Sequence, residues 1–318
     1  MLRIYYKKER RLAKETDLDL LRSIPLESLV WVDLQNPTIE EKITVETYFD
    51  IKYSSEEESV EIESSSRFNE VEDELIINSN FLSLKENGFN YYPVSIVLEK
   101  GILFTYRDHD LKTFGDSVKR IRSNPGGYQN GYHILLTILE TGIDHDADII
   151  EGLAKEIAEL SQQLTLNNKR ADKEILHSIS SFQNNNMLMR ENIIDKQRLI
   201  SSLLKSSLFP EDYTSVLRIM IKDIGSLIEH NKFAFERLEY LQNNFMGLIN
   251  IEQNRIIKIF TVATVAFMPP TLIASIYGMN FQFMPELNWE LGYSGALILM
   301  ILSSATTLFY FKRKNWLW

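Results

Sequence analysis

The chain contains no cysteine, which excludes disulfides and every thiolate metal site. Its five histidines, His109, His133, His145, His177 and His230, show no paired metal spacing. No phosphate-binding loop and no nucleophile–base constellation is visible, so an enzyme is not expected. Positive charge is scarce: the net charge is −10, which disfavours nucleic acid as a partner, because that binding rests on neutralising phosphates. The opening residues, MLRIYYKKERRLAKE, lack an apolar core, so no secretory signal peptide is expected. Charge is missing altogether from two stretches, between Ile259 and Pro285 and between Leu291 and Phe311. Each is long enough to cross a bilayer as a helix, which takes about 20 residues. The connector from Gly278 to Glu290 contains no lysine or arginine, and no proline lies between Glu211 and Met268.

These gaps have charged borders. Arg255 and Lys258 precede the first apolar run, and Lys312, Arg313 and Lys314 follow the second. Positive residues near span ends stay on the cytoplasmic side, so both termini are expected inside and the connector outside. Phe281, Trp289 and Tyr293 suit one membrane interface; Tyr310, Trp316 and Trp318 suit the other. From residue 251 onward the balance is +2, with Glu252, Glu286 and Glu290 against the five basic residues, so residues 1–250 carry −12. An acidic soluble part is compatible with divalent cations as partners.

Residues 1–127 read as a cytoplasmic α/β domain. β-rich runs occur at LRIYYK, LVWVDL, ELIINSNFLSL and VSIVLEKGILFTYRD, the last a hairpin turning at Glu99-Lys100-Gly101. Helical patterns fall at 38–49 and 112–123. The acidic, Ser-rich run at 56–74 reads as a solvated loop leading into an edge strand, with a metal site as the alternative. Residues 128–250 read as long helices and a stalk. One helix covers about 130–164 and a second about 170–206, with Asn186 and Lys196 interrupting the apolar seam of the latter. On the third, Leu217, Met220, Ile224, Leu227, Asn231, Ala234, Leu238, Leu241, Phe245 and Leu248 recur at steps of three and four. That heptad seam is what helices packing along their length require, and it offers a way to assemble several copies. Without an intervening proline, one helix from about Glu211 to Tyr277 would be about 100 Å long. Residues 251–318 form the transmembrane part: spans at about 256–277 and 291–311, an external loop at 278–290 and a basic cytoplasmic tail at 312–318. The fold class is thus an α+β multi-domain membrane protein.

Along the first span a helical stripe runs Asn254, Ile257, Thr261, Thr264, Met268, Thr271, Ser275, with Phe267, Leu272, Ile273 and Ile276 assigned to the opposite side. Hydroxyl and small residues on one face serve helix packing or line a watery path. Pro269-Pro270 frees backbone carbonyls that must find partners within the membrane. Two spans cannot enclose a channel, so a pore needs several copies.

Tyr277-Gly278-Met279-Asn280 directly after a span, then Met284-Pro285-Glu286-Leu287, a second span and a basic, Trp-containing tail resemble the CorA family of magnesium/cobalt transporters, of the metal ion transporter superfamily. The resemblance covers the whole layout and is strongest from Asn254 to Trp316. It implies a homopentamer in the cell membrane, with first spans lining a central pore, second spans outside and cytoplasmic domains forming a funnel. It also implies uptake of Mg2+, often with Co2+ or Ni2+ permeating. Gly278, Met279 and Asn280 would be the selectivity filter. Mg2+ sheds its waters reluctantly, and a ring of Asn280 oxygens and Gly278 carbonyls can accept hydrogen bonds from those waters instead. Gly278 would let the helix end sharply. Met279 would shape the turn and Tyr277 would pack behind the filter. Glu286 and Glu290 would concentrate cations at the mouth, or Glu286 would hold the loop in shape. Thr271, Met268 and Asn254 match pore-facing positions, and Ile257 and Phe260 match a hydrophobic constriction; Thr264 and Ser275 continue the stripe. The sequence departs from the family at its intracellular Mg2+ sensor. The key acidic position falls on Ile219, leaving Asp223, one turn on, as its replacement, with Asp144, Asp146 and Asp148 as the other half. Two alternatives remain: a Zn2+ transporter like ZntB with the same architecture, against which Met279 argues, and a membrane-anchored scaffold or sensor that conducts nothing.

Overall fold

A computed structural model of the chain describes residues 1–9, 11–54, 67–85, 88–124, 126–165 and 172–314. Most of the acidic run at 56–74 and the tryptophans at 316 and 318 lie outside these residues. The chain divides into two compact units, Met1–Leu241 and Gln242–Trp318.

The first unit is built on a seven-stranded sheet of order β2-β1-β3-β7-β6-β5-β4. Its strands are β1 (Leu2–Lys8), β2 (Arg11–Glu15), β3 (Leu29–Gln35), β4 (Phe68–Val71), β5 (Glu74–Lys85), β6 (Gly88–Glu99) and β7 (Ile102–Arg107). Among the described residues only β3 and β7 pair in parallel, with Trp31 opposite Leu103 and Asp33 opposite Thr105. The run LVWVDL is continuously apolar apart from Asp33 because β3 is covered on both faces. Trp31 joins the core on one face, and Val32 and Leu34 join that on the other. Asp33 is 1% exposed and fully partnered: Arg3, Arg107 and Thr105 all donate to its carboxylate. The β6–β7 hairpin turns at Lys100 and Gly101, both with positive φ, the two-residue turn that matches strand twist. The sequence reading missed β2 and β4. Both are short, polar strands at the sheet edges, where exposure removes the alternating apolar pattern.

Helix α1 (Ile39–Phe49) starts at a reciprocal cap between Thr38 and Glu41 and covers one face of the sheet with Val45. The other face carries α2 (Lys112–Ser123), α3 (Gly131–Thr165), α4 (Asp172–Lys205) and the first part of α5 (Thr214–Tyr277). A single apolar core runs from Leu75 and Ile96 of the sheet through Phe114, Ile138 and Ile200 to Leu217 and Ile224. Helix α5 is unbroken over 64 residues, and α6 (Gly292–Arg313) closes the chain.

The heptad seam of α5 is used inside the chain. Leu217, Met220 and Ile224 belong to the sheet-side core, and Ala234, Leu238 and Leu241 pack with Leu153 and Ile157 of α3. From Leu217 to Leu241 the expected role of this seam in bringing copies together is therefore corrected: these side chains are spent on α3, α4 and the sheet, whereas Leu248 is exposed. The polar interruptions are partnered across the same helices. The Asn186 and Asn231 side-chain amides donate to each other's main-chain carbonyls at 3.1 and 3.2 Å. Lys196 and Asp146, both almost fully buried, pair at 2.5 Å, and Asn192 also donates to Asp146.

Candidate functional site

Two helices in the described residues, α5 and α6, are long and apolar enough to cross a membrane. In the second unit the expected stripe of α5 lies open. Asn254, Ile257, Phe260, Thr261, Thr264, Met268, Thr271 and Ser275 are all exposed. The buried residues here are Val262 and Ala266, with Val265, Pro269, Pro270 and Ile273 half-buried. At about 100° per residue, the Val262–Ala266 face points about 150° away from the stripe. The Ser304 hydroxyl of α6 donates to the Ala266 carbonyl at 3.1 Å, so this is the face that α6 meets. Of the four residues assigned to the side opposite the stripe, only Ile273 lies here; Phe267, Leu272 and Ile276 are exposed. The correction follows from helical phase, which puts Val262, Ala266 and Pro269 beside Ile273.

The stripe's three threonine hydroxyls are satisfied within their own helix. Thr261, Thr264 and Thr271 donate to the carbonyls of Ile257, Phe260 and Phe267 at 2.8–2.9 Å. This is the usual way a hydroxyl is tolerated in an apolar helix. It leaves each oxygen's acceptor capacity facing outward, where it can meet a water or a hydrated ion.

The Tyr277–Asn280 motif ends the helix without the left-handed turn expected of Gly278. The Gly278 N–H continues the helical pattern to Ala274 at 2.9 Å, and that of Met279 reaches Ile276 at 3.3 Å. Gly278 is absent from the positive-φ glycines, so what its missing side chain supplies is room: a Cβ there would stand 3.1 Å from the Ala274 carbonyl. Asn280 is exposed, and among the described residues none hydrogen-bonds its amide. Tyr277 and Met279 are also exposed within one chain, so packing behind a filter is not made by these residues alone.

Beyond the motif the loop is held by a short 3₁₀ turn, Pro285–Asn288, in which Pro285 presets the first position. The Leu287 and Trp289 N–H groups close it onto Met284 and Glu286. Gly292 begins α6 against this turn, where a Cβ would stand 2.6 Å from the Glu286 carbonyl. Glu286 is accordingly half-buried and held at its backbone, while Glu290 is exposed.

The candidate sensor residues lie in the first unit. Asp144 and Asp223 line one cleft of about 570 Å³ between α3 and α5, with Glu151, His230, Phe233 and Arg237. Asp144 is engaged by Arg120 at 3.3 Å, and Asp148 is exposed in a smaller hollow with Lys112 and His145. Asp146, named on the sequence with Asp144 and Asp148 as the other half of the sensor, is instead the buried partner of Lys196, which removes it from any cation site. His145 is half-buried. Burial raises the pKa of Glu140, opposed by Arg120 and reinforced by Asp144 and Asp223, so these carboxylates share one electrostatic neighbourhood. Among the described residues no group of three or more His, Asp and Glu could hold a metal ion.

Sequence reasoning missed Ser304 and Gly292. A serine in an apolar run carries no positional signal, and Gly292 is legible only once the Glu286 carbonyl is placed beside it.

Comparison with known proteins bears on the whole chain. The family model described as CorA-like Mg2+ transporter protein matches residues 27–313. A magnesium transport protein CorA from Wolinella succinogenes is 38% identical over 322 residues, covering all of both chains. Its namesake from Escherichia coli K12 is 38% identical over 305 residues, covering 95% of this chain and 96% of its own. Among solved structures, the complete CorA magnesium transporter of Methanocaldococcus jannaschii superposes with a TM-score of 0.83 at 21% identity. It covers 99% of this chain and 98% of its own, and shares the fold.

Proposed function

The chain belongs to the CorA-like Mg2+ transporter family, and from that premise we propose that it is a membrane channel admitting Mg2+ down its electrochemical gradient. The channel is a homopentamer, with the first spans (about 256–277) around the path and the second (about 291–311) outside them. The termini, including the basic tail 312–318, lie in the cytoplasm and the 278–290 loop lies outside the cell membrane. Residues 1–127 and 128–250 form the cytoplasmic sheet and long-helix parts.

One observation carries this reading: α6 occupies the Val262–Ala266 face of α5 and leaves the Asn254–Ser275 stripe open, ending at an unpartnered Asn280. Around a shared axis the stripe's outward acceptors and the Asn254 amide meet water, whereas toward lipid they would go unused. Gly278, Met279 and Asn280 form the filter, and the Asn280 amide binds the ion through its waters. An uncharged oxygen ring holds a dication weakly enough to release it. Thr271, Met268, Thr264 and Ser275 line the path below. Ile257 and Phe260 form the constriction, and Asn254 the exit. Glu290 and Glu286 draw cations to the mouth. A dication crossing about 100 mV gains about 4.6 kcal/mol, enough to drive entry without another energy source. Bound Mg2+ at Asp223, with Asp144 or Asp148 of a neighbouring copy, would restrain the channel.

The test is 28Mg uptake into proteoliposomes. Asn280→Ala removes a hydrogen bond to a charged, hydrated ion and is expected to lower flux about ten- to a hundredfold. Unchanged flux through an intact oligomer would favour a non-conducting scaffold instead. The same vesicles loaded with saturating internal Mg2+ should conduct less, and Asp223→Ala should relieve that restraint. Faster entry of 65Zn than of 28Mg would favour a Zn2+ transporter.

A further inference from the structure

Pro269 and Pro270 stand side by side within the helical span of α5. Proline has no N–H to donate. In a regular helix residue 270 would bond the Ala266 carbonyl and residue 269 that of Val265, so both carbonyls lose their helical partner. Inside a membrane an unpartnered carbonyl costs several kcal/mol, and Ala266 is only 6% exposed, with no water to turn to.

The Ser304 hydroxyl reaches this carbonyl from α6 at 3.1 Å. Other hydroxyls of α6 behave differently. Ser303, Thr306 and Thr307 turn back onto carbonyls of their own helix at 2.7–2.9 Å, as the threonines of α5 do on theirs. A serine in a helix always has that local option. Ser304 instead crosses to the neighbouring span, at the carbonyl that Pro270 leaves open.

We propose that Ser304 is a positioning residue for transport, its hydroxyl standing in for the amide that Pro270 lacks and pinning the second span to the closed face of the first. The bond fixes how α5 is rotated at its proline pair, and hence which side chains face the path. The functional part rests on the transport reading; the geometric part does not. Ala266 is 12 residues from Gly278, about 18 Å along the helix. The bond therefore acts on passage along the span rather than on ion capture at the filter.

The experiment uses the full-length protein, in proteoliposomes and in detergent. Ser304→Ala is expected to lower maximal 28Mg flux per inserted molecule about threefold, the value of an average hydrogen bond between membrane helices. The half-saturating Mg2+ concentration should not move. Ser304→Thr and Ser304→Val have the same shape and differ by the hydroxyl; the first should keep the flux and the second lose it. Pro270→Ala restores an N–H for the Ala266 carbonyl. In that background Ser304→Ala should not lower the apparent melting temperature, whereas beside Pro270 it should. Equal lowering in both backgrounds, or equal flux from the Thr and Val variants, would overturn the proposal. A wild-type protein that passes no Mg2+ would instead overturn the transport reading, with the melting comparison still deciding the bond.

Discussion

His145 sits on α3 beside the buried Asp146–Lys196 pair, and its ionisation is set by that position. Burial, Lys112 and Lys196 hold its pKa below the ordinary 6.5, against the opposing pull of Asp146 and Asp148. Burial and Lys7 lower that of His133 as well, whose ring meets Asn130 and the Tyr213 hydroxyl. Both imidazoles therefore favour the neutral form in the fold. Their contribution to stability is present above about 6.5 and is lost as pH falls below it, because the unfolded chain takes up protons first. Melting temperature should accordingly drop between about pH 7 and pH 5, and a His133→Gln, His145→Gln double variant should flatten that slope. An unchanged slope would show that other groups set the acid sensitivity.

Where helices α3, α4 and α5 meet, the polar residues that interrupt the apolar seams are where side-chain chemistry is most demanding. Lys196 and Asp146 are 2–3% exposed, and Lys196 also lies over the Phe81 ring at 5.4 Å. A buried pair of this kind adds little net stability, but losing one member strands the other. Lys196→Met should therefore cost about 3–5 kcal/mol in unfolding free energy. Combining it with Asp146→Leu should recover most of that loss, which chemical denaturation of each variant will show. The reciprocal Asn186–Asn231 contact works similarly as a register mark, since sliding α4 along α5 would break both bonds at once.

For the whole molecule, the consequence is a separation of duties. The first unit buries its long-helix seam within one chain, while the second leaves most of its apolar surface open; α6 has no buried residue. That surface is what the proposed pentamer would turn to lipid and to neighbouring copies. Leu238, fully buried against α3, tests the division. Leu238→Ala should destabilise the fold by about 2–5 kcal/mol and leave the oligomeric state, read by native mass spectrometry, unchanged. A loss of assembly without a loss of stability would return the seam to the role first expected of it.

The spans, the connector without lysine or arginine, the Tyr277–Asn280 motif, the long helices and the Lys100-Gly101 turn could all be read from the amino-acid sequence. Each depends on composition or periodicity within one stretch of chain, and a bilayer or a tight turn imposes its demand locally. The polar stripe of the first span was legible for the same reason. Which face α6 covers, what Asp146 and Ser304 are for, and that the heptad seam serves its own chain were decided only by tertiary structure. Those features arise from groups dozens of residues apart meeting in space. A buried lysine, a missing proline amide or a crowded glycine has meaning only through the atom that the fold sets beside it.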